Sequence, residues 1–248
     1  MGINFNTNLF QIGFKPKVQL NNQRNIYFGN VQTKDTFENN SVERFFNEAY
    51  IKKAIEQNPE ILNILKSNSI PLNININALN DLKTNHCKIT QELCAQITKN
   101  LPRSIKDHVN LKDLKDGAML HDIGKVLIPE EILNKSDTLS PSEYEIMNLH
   151  SQLGYELLKN SGLNDNVLNM IRYHHTGSIA NLYLQIVSLA DKYSALTEKR
   201  PYKDAFEPKK ALYILHKEVQ AGKIHPFVFN ALVKSVNNTE KNNKINIS

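Results

Sequence analysis

Apolar residues recur three and four positions apart along most of this chain, the spacing that puts them on one face of an α-helix. Phe45, Phe46, Ala49, Tyr50 and Ala54 predict a first helix, and Pro59 opens a short second one where its missing N–H costs nothing. After a break at Ile70-Pro71, a long helix is expected from about 78 to 100, stopping before Pro102. Asn110 can cap a helix that ends at Gly124, and Ser140-Pro141-Ser142-Glu143 reads as a capping box opening a helix to about Lys159. Further helices are expected near 165–175, 181–197, 208–221 and 226–236. Pro208 and Pro226 open the last two, and Gly222 ends the helix between them. No convincing alternating strand pattern is present, so the fold class is all-α, a helical bundle.

The ends break this pattern. Residues 1–40 hold scattered Asn, Gln, Gly and Lys and predict an irregular or disordered N-terminal extension. The expected organisation is then a short helical segment over 41–77, a main domain over 78–236 and a disordered tail over 237–248.

The apolar stripes carry polar residues where a core should be. They run Leu82, His86, Ile89, Leu93, Ile97; then Leu111, Leu114, Ala118 followed by His121 and Asp122. The next three are Ile146, His150, Leu153, Leu157; Val167, Met170, Ile171, His174 with His175 beside it; and Leu184, Val187, Asp191, Ala195. A buried carboxylate without a partner costs several kcal/mol, roughly. One buried histidine is ordinarily a hydrogen-bonded core residue. Five helices each aiming His or Asp inward is instead the way bundles build metal centres. The donors are nitrogen and oxygen without thiolate, which suits iron, manganese, zinc or cobalt. Seven donors exceed what one tetrahedral ion takes and would serve two ions. His108, His216 and His225 fall in polar or capping contexts and read as ordinary.

Hydrophobic residues make up 40% and charged residues 22% of 248 residues, a soluble globular profile. No apolar run approaches the roughly 20 residues of a membrane span, and no secretory or myristoylation signal opens the chain, so a cytoplasmic protein is expected. No receiver or sensor segment precedes the helical region, which predicts a stand-alone domain or one regulated in trans. Cys87 and Cys94 lie seven apart on one helix, about 10 Å along its axis, too far for a disulfide. They read as buried free thiols. The net charge of +5 permits phosphate-bearing partners, but no Lys/Arg run resembles a nucleic-acid arm.

HDIGK (121–125) followed by IPEEILNK (128–135) resembles the catalytic core of the HD superfamily of metal-dependent phosphohydrolases, within it the HD-GYP branch. The resemblance continues through MNLH (147–150), YHH (173–175), LADKYSALT (189–197) and RPYKDAFEPKKAL (200–212). It implies an HD-type helical bundle hydrolysing a phosphodiester, cyclic di-GMP or another nucleotide, by a hydroxide shared between two divalent transition-metal ions. Iron or manganese come first for those ions, with zinc, cobalt or nickel as alternatives. It further implies that His86, His121, Asp122 and Asp191 hold one ion. Asp122 would bridge to a second, held by His150, His174 and His175. Asp122 and Lys125 would be catalytic, and Lys125, Arg200 and Lys203 would contact substrate phosphates.

Two departures bear on this. The Gly-Tyr-Pro loop that names the branch is absent, the chain running from His175 through TGSIANLYLQ into the next helix. Where some members carry a Glu for a third metal, this chain has Leu82, with Asp81 beside it, which favours two ions. The expected partner is a small phosphodiester or nucleotide, with no nucleic-acid polymer and no membrane; a second copy or a signalling protein would be the macromolecular partner. The rival readings are a catalytically degenerate HD domain acting as a regulatory binding module, and a scaffold whose core polar residues pair among themselves.

Overall fold

A computed structural model describes residues 40–176, 179–198 and 204–245, and among them every regular element is helical. The N-terminal extension, Arg200 and Lys203 lie outside the described residues.

The chain opens with α1 (Asn40–Glu43), α2 (Glu48–Gln57) and α3 (Pro59–Ser67). The first predicted helix begins later than its apolar pattern suggests. Phe45 and Phe46 sit in the turn before α2 and are buried there, while Asn47 caps the helix by accepting from the N–H groups of Ala49 and Tyr50. Asn58 has two tasks. Its side-chain oxygen caps α3, and its amide donates to the carbonyl oxygen and carboxylate of Glu156 at 2.9 and 2.8 Å. The N-terminal helices are thereby fastened to the later helix that carries Glu156.

The expected 78–100 helix is two helices, α4 (Ile76–Thr84) and α5 (His86–Asn100). Asn85, with φ −119° and ψ −100°, breaks the run directly before His86. Leu101-Pro102 ends α5, and a single turn, α6 (Arg103–Lys106), follows. Asn110 does cap α7 (Leu111–Leu120), but that helix stops four residues before Gly124 and gives way to a 3-10 turn over Ile123–Leu127. Leu111, read as part of the apolar stripe, is 41% exposed at the open start of α7.

After α8 (Glu130–Leu133), the capping box at Ser140 and Glu143 is formed as expected and opens α9 (Pro141–Leu158). Then come α10 (Asp165–Tyr173), α11 (Leu182–Thr197), α12 (Pro208–Gln220) and α13 (Pro226–Ile245). Gly222 closes the α12 end with φ +71°, a conformation that favours glycine. The expected tail after Val236 is corrected over 237–245, where α13 continues to Ile245. No Gly or Pro interrupts that stretch, and Thr239 hydrogen-bonds back to Ser235, so its polarity does not end the helix.

α5 is the central element, packed on α7, α11 and α13, while α10 bridges α7 and α9. Ile97, Leu93, Leu114, Leu120, Leu153, Ile171 and Val187 fill the interior between them, each at most 1% exposed. Burying each such side chain stabilises the fold by about 1.5–3 kcal/mol. Cys87 and Cys94 are both buried on α5 as free thiols, as their spacing implied. Among the described residues no helix is long and apolar enough to cross a membrane.

Candidate metal centre

The polar residues of the stripes meet at one end of this core, and the breaks in the helices put them there. His121 caps α7 in helical conformation, and Asp122 then turns with φ −101° and ψ 3° into the 3-10 segment. That segment lies directly on α9. A Cβ added at Gly124 would fall 2.0 Å from the carbonyl oxygen of His150 and 2.5 Å from the nitrogen of Gly154. The contact that only glycine permits sets Asp122 against His150. His86 begins α5, His174 caps α10 with His175 next in line, and Asp191 projects from the interior of α11.

The two oxygens of Asp122 face different neighbours. Oδ1 lies 3.2 Å from Nε2 of His150 and 3.7 Å from Nε2 of His174. Oδ2 lies 3.5 Å from Nε2 of both His86 and His121. Nε2 of His150 is also 3.2 Å from that of His174 and 3.1 Å from that of His175. Across the site, Nε2 of His86 is 3.1 Å and that of His121 3.8 Å from Asp191 Oδ1. The result is two groups that could each hold a metal ion: Asp122, His150, His174 and His175 in one, and His86, His121 and Asp191 in the other. Donor atoms within each group lie no more than 4.8 Å apart.

The imidazoles are oriented from behind. Nδ1–H of His121 donates to the carbonyl of Ala118 at 2.7 Å, that of His150 to Met147 at 2.6 Å and that of His174 to Ile171 at 3.0 Å. Each carbonyl holds a proton on Nδ1 and turns Nε2 inward, so that the neutral ring offers its lone pair to the site, the arrangement of a metal-ligating histidine. His86 is held by a carboxylate instead, with Nδ1 3.2 Å from an oxygen of Glu198.

The electrostatics of the metal-free protein divide along the same line. Burial alone would push His86 down, but its hydrogen bonds to Asp191 and Glu198 and the charge of Asp122 overcome this and raise it to about 9. Burial likewise opposes His121, and the charge of Asp122 lifts it well above the usual imidazole range. His174 is pushed well below that range by burial, then by the charges of His121, His175 and His150. His175, on the open side of the site, falls to about 4 through partial burial of its ring and then the charge of His150. Burial would raise Asp122 and Asp191. Lys125 and His121 hold Asp122 well down, and His121 and His86 do the same for Asp191.

These residues fit a cation better than they fit one another. Nε2 of His121 is fully buried with no hydrogen-bond partner, a costly state for a polar atom. A proton there would sit too far from either carboxylate to make a hydrogen bond. In the other group the Nε2 atoms of His174 and His175 both lie within 3.2 Å of that of His150, and the rings of His174 and His175 are driven to the neutral form that carries a lone pair. A divalent ion relieves both conditions. Asp81, beside the position that could have supplied a further ligand, is exposed and accepts from Asn85, while Leu82 is buried in the core.

All seven residues read from the stripes come together, and Lys125 joins them with Nζ on Oδ2 of Asp122. The sequence reading did not single out Ser194 and Glu198. The signal was present: Asp191, Ser194 and Glu198 stand at i, i+3 and i+7 on one face of α11, but an acid at a helix end reads as solvated.

A family model described as the HD domain matches residues 84–196. The chain is 28% identical over 172 residues to a 3'3'-cGAMP-specific phosphodiesterase 1 of Vibrio cholerae, covering 64% of this chain and 39% of that protein. It is 34% identical over 113 residues to the cyclic di-GMP phosphodiesterase response regulator RpfG of Xanthomonas campestris, covering 40% of this chain and 30% of that one. With a cyclic di-GMP phosphodiesterase of Thermotoga maritima it shares 28% identity over 231 residues, which are 85% of this chain and 57% of the relative. The chain thus spans between 30% and 57% of the length of these three relatives. His121-Asp122 stands inside the matched segment, at the meeting point of the two histidine groups, so the part of the chain that resembles an HD domain is the part that carries the candidate site.

Proposed function

We propose that this protein is a metal-dependent phosphodiesterase acting on a small cyclic dinucleotide or a related nucleotide. The observation that carries the reading is the placement of Asp122, whose two oxygens each face one complete group of nitrogen and oxygen donors. His86, His121, Asp191 and Asp122 would hold one divalent ion, and Asp122, His150, His174 and His175 a second. Iron or manganese suits this donor set best. When bound, two such ions supply Lewis acidity and lower the pKa of a water that can attack phosphorus.

The chain's own residues do the rest. Asp122 ties the two halves together, and the backbone carbonyls behind His121, His150 and His174 fix the rings in the ligating tautomer. Lys125, only partly exposed and paired with Asp122, presents a fixed positive charge to a phosphate oxygen or a departing alkoxide. Arg200 and Lys203 are proposed phosphate contacts on the strength of the sequence resemblance. The relatives named above act on cyclic di-GMP and 3'3'-cGAMP, which makes cyclic dinucleotides the first substrates to test. The short connection from His175 to α11 supports a site more open than the Gly-Tyr-Pro loop would make it.

The test is metal content, followed by hydrolysis of a panel of cyclic dinucleotides, on protein purified without oxygen and without chelating tags. About two ions per chain, with fewer in His121→Ala/Asp122→Ala, is the expected result. No bound metal after supply of iron and manganese would overturn the hydrolase reading and leave a domain that works by binding.

A further inference from the structure

His86 differs from the other buried histidines of the site in what holds it. His121, His150 and His174 lean on carbonyls of their own helices. His86 is the first residue of α5 and has no preceding turn to lean on. Its Nδ1 meets both oxygens of Glu198 at 3.3 and 3.2 Å and the hydroxyl of Ser194 at 3.2 Å. Ser194 is buried and donates a hydrogen bond to Glu198 in turn, so the last turn of α11 forms a bracket around one ring nitrogen. The backbone N–H of Glu198 donates to Ser194 O at 2.8 Å and fixes that turn.

We propose that Glu198, steadied by Ser194, is a positioning residue for the His86 half of the metal centre. Its carboxylate accepts Nδ1–H of His86, so that when the ring gives up a proton to bind a cation it is Nε2, aimed between Asp122 and Asp191, that supplies the lone pair. The placement follows helix physics. The start of α5 carries partial positive charge, which favours an anion there and disfavours a cation, so this half needs an added carboxylate that the other half does not. Outer carboxylates of this kind fix ring orientation and raise ligand basicity, and losing one typically costs about 10–100-fold in metal affinity.

The proposal rests on the two-ion reading of the site, and the experiment separates the two. Manganese is titrated into full-length metal-free protein and into Glu198→Ala, Glu198→Gln and Ser194→Ala, with stoichiometry by calorimetry and coupling between ions by electron paramagnetic resonance. Glu198→Ala should weaken one of two ions by about 10–100-fold and replace the spin-coupled signal by that of an isolated ion. Glu198→Gln, which still accepts from Nδ1–H but without charge, should lose less, and Ser194→Ala less again. Metal-free Glu198→Ala loses its ion pair with His86 and should melt somewhat below the parent. A mere tie between α11 and α5 would show that fall alone and leave both affinities unchanged, and that result overturns the proposal. Parental affinity for both ions in Glu198→Ala, or equal weakening of both, also overturns it. Failure of the parent protein itself to bind manganese would overturn the metal reading and this role together.

Discussion

Gly124→Ala tests whether the crossing of the 3-10 turn on α9 builds the site. The new methyl group would stand 2.0 Å from the His150 carbonyl oxygen, 2.5 Å from Gly154 nitrogen and 2.9 Å from the His150 carbonyl carbon, where ordinary contact begins near 3.4 Å. All three atoms are backbone, so no rotamer change relieves the clash. The two segments must part by more than an ångström, and His150 moves away from Asp122. Overpacking of this kind costs about 1–3 kcal/mol. At about 2–4 °C per kcal/mol for a chain of this size, melting should fall by about 2–12 °C. An ångström of misplacement also costs about 100-fold in turnover. Gly117→Ala is the control, because its Cβ meets chiefly the flexible end of Met170, with the methyl carbon at 2.3 Å, and that side chain can swing aside. Melting curves, metal stoichiometry and cyclic-dinucleotide hydrolysis are compared for the two variants. If Gly124→Ala kept the parental melting temperature and both ions, the close crossing would have no bearing on the site.

Three further outcomes are expected. Asp122→Asn should retain less than one tightly bound ion per chain and no hydrolysis, because both donor groups lose their shared anion; parental metal content by elemental analysis would refute this. Asn58→Ala removes a helix cap, worth about 1 kcal/mol. It also strips two hydrogen bonds from Glu156, so denaturant melting should show a loss of about 2–3 kcal/mol with metal content intact. The metal-free protein should be most stable near pH 6.5. His174 and His175 are depressed in the folded state, so the unfolded chain takes up protons first, and their contribution fades as pH falls from 6.5 towards 4. His86 is raised to about 9, so its contribution is complete below 6.5 and fades as pH rises through 9. Urea melts at pH 4.5, 6.5 and 9 of equal midpoint would show that these charges are not coupled to folding.

The sequence revealed the candidate metal donors more clearly than it revealed the helix ends. His150 and Asp191 lie inside long helices, where a 3.6-residue period marks a core position without ambiguity, and the structure brings both into the site. His86 and His121 were read on stripes that run too far. Leu82 and His86 keep the four-residue spacing across Asn85, and Ala118 and His121 the three-residue spacing past the end of α7, so periodicity alone could not see the breaks. The breaks come from tertiary packing. Asn75 N–H donates to the Val126 carbonyl at 2.8 Å and holds α4 against the 3-10 turn, a contact between segments some fifty residues apart. Glu198 was passed over for a related reason, since only the fold shows that the end of α11 abuts the start of α5.

The location of those breaks explains why the site can exist. An α-helix presents partial negative charge at its C-terminus, and His121 and His174 both stand at helix C-termini, as does Glu198. A cation gathered among these ends is stabilised by the backbone before any side chain is counted. A histidine placed mid-helix throughout would lack that field and would crowd its neighbours' backbones at the usual 8–10 Å helix separation, about twice the span of each donor group. Ending α7 and α10 early lets the rings converge, and starting α5 at His86 brings in a third helix from the opposite polarity. That last choice carries an electrostatic cost at the start of α5, which the carboxylates of Asp191 and Glu198 offset. The same reasoning ranks the two halves: the half that holds His174 and His175, two rings driven to the neutral form, should fill first at pH 7, and the His86 half second, with uptake that strengthens as pH rises towards 9. Stepwise manganese titration at pH 6 and pH 8 reads this directly. Simultaneous filling at both values would mean that the two halves are one undivided site, and the division of charge drawn here would be wrong.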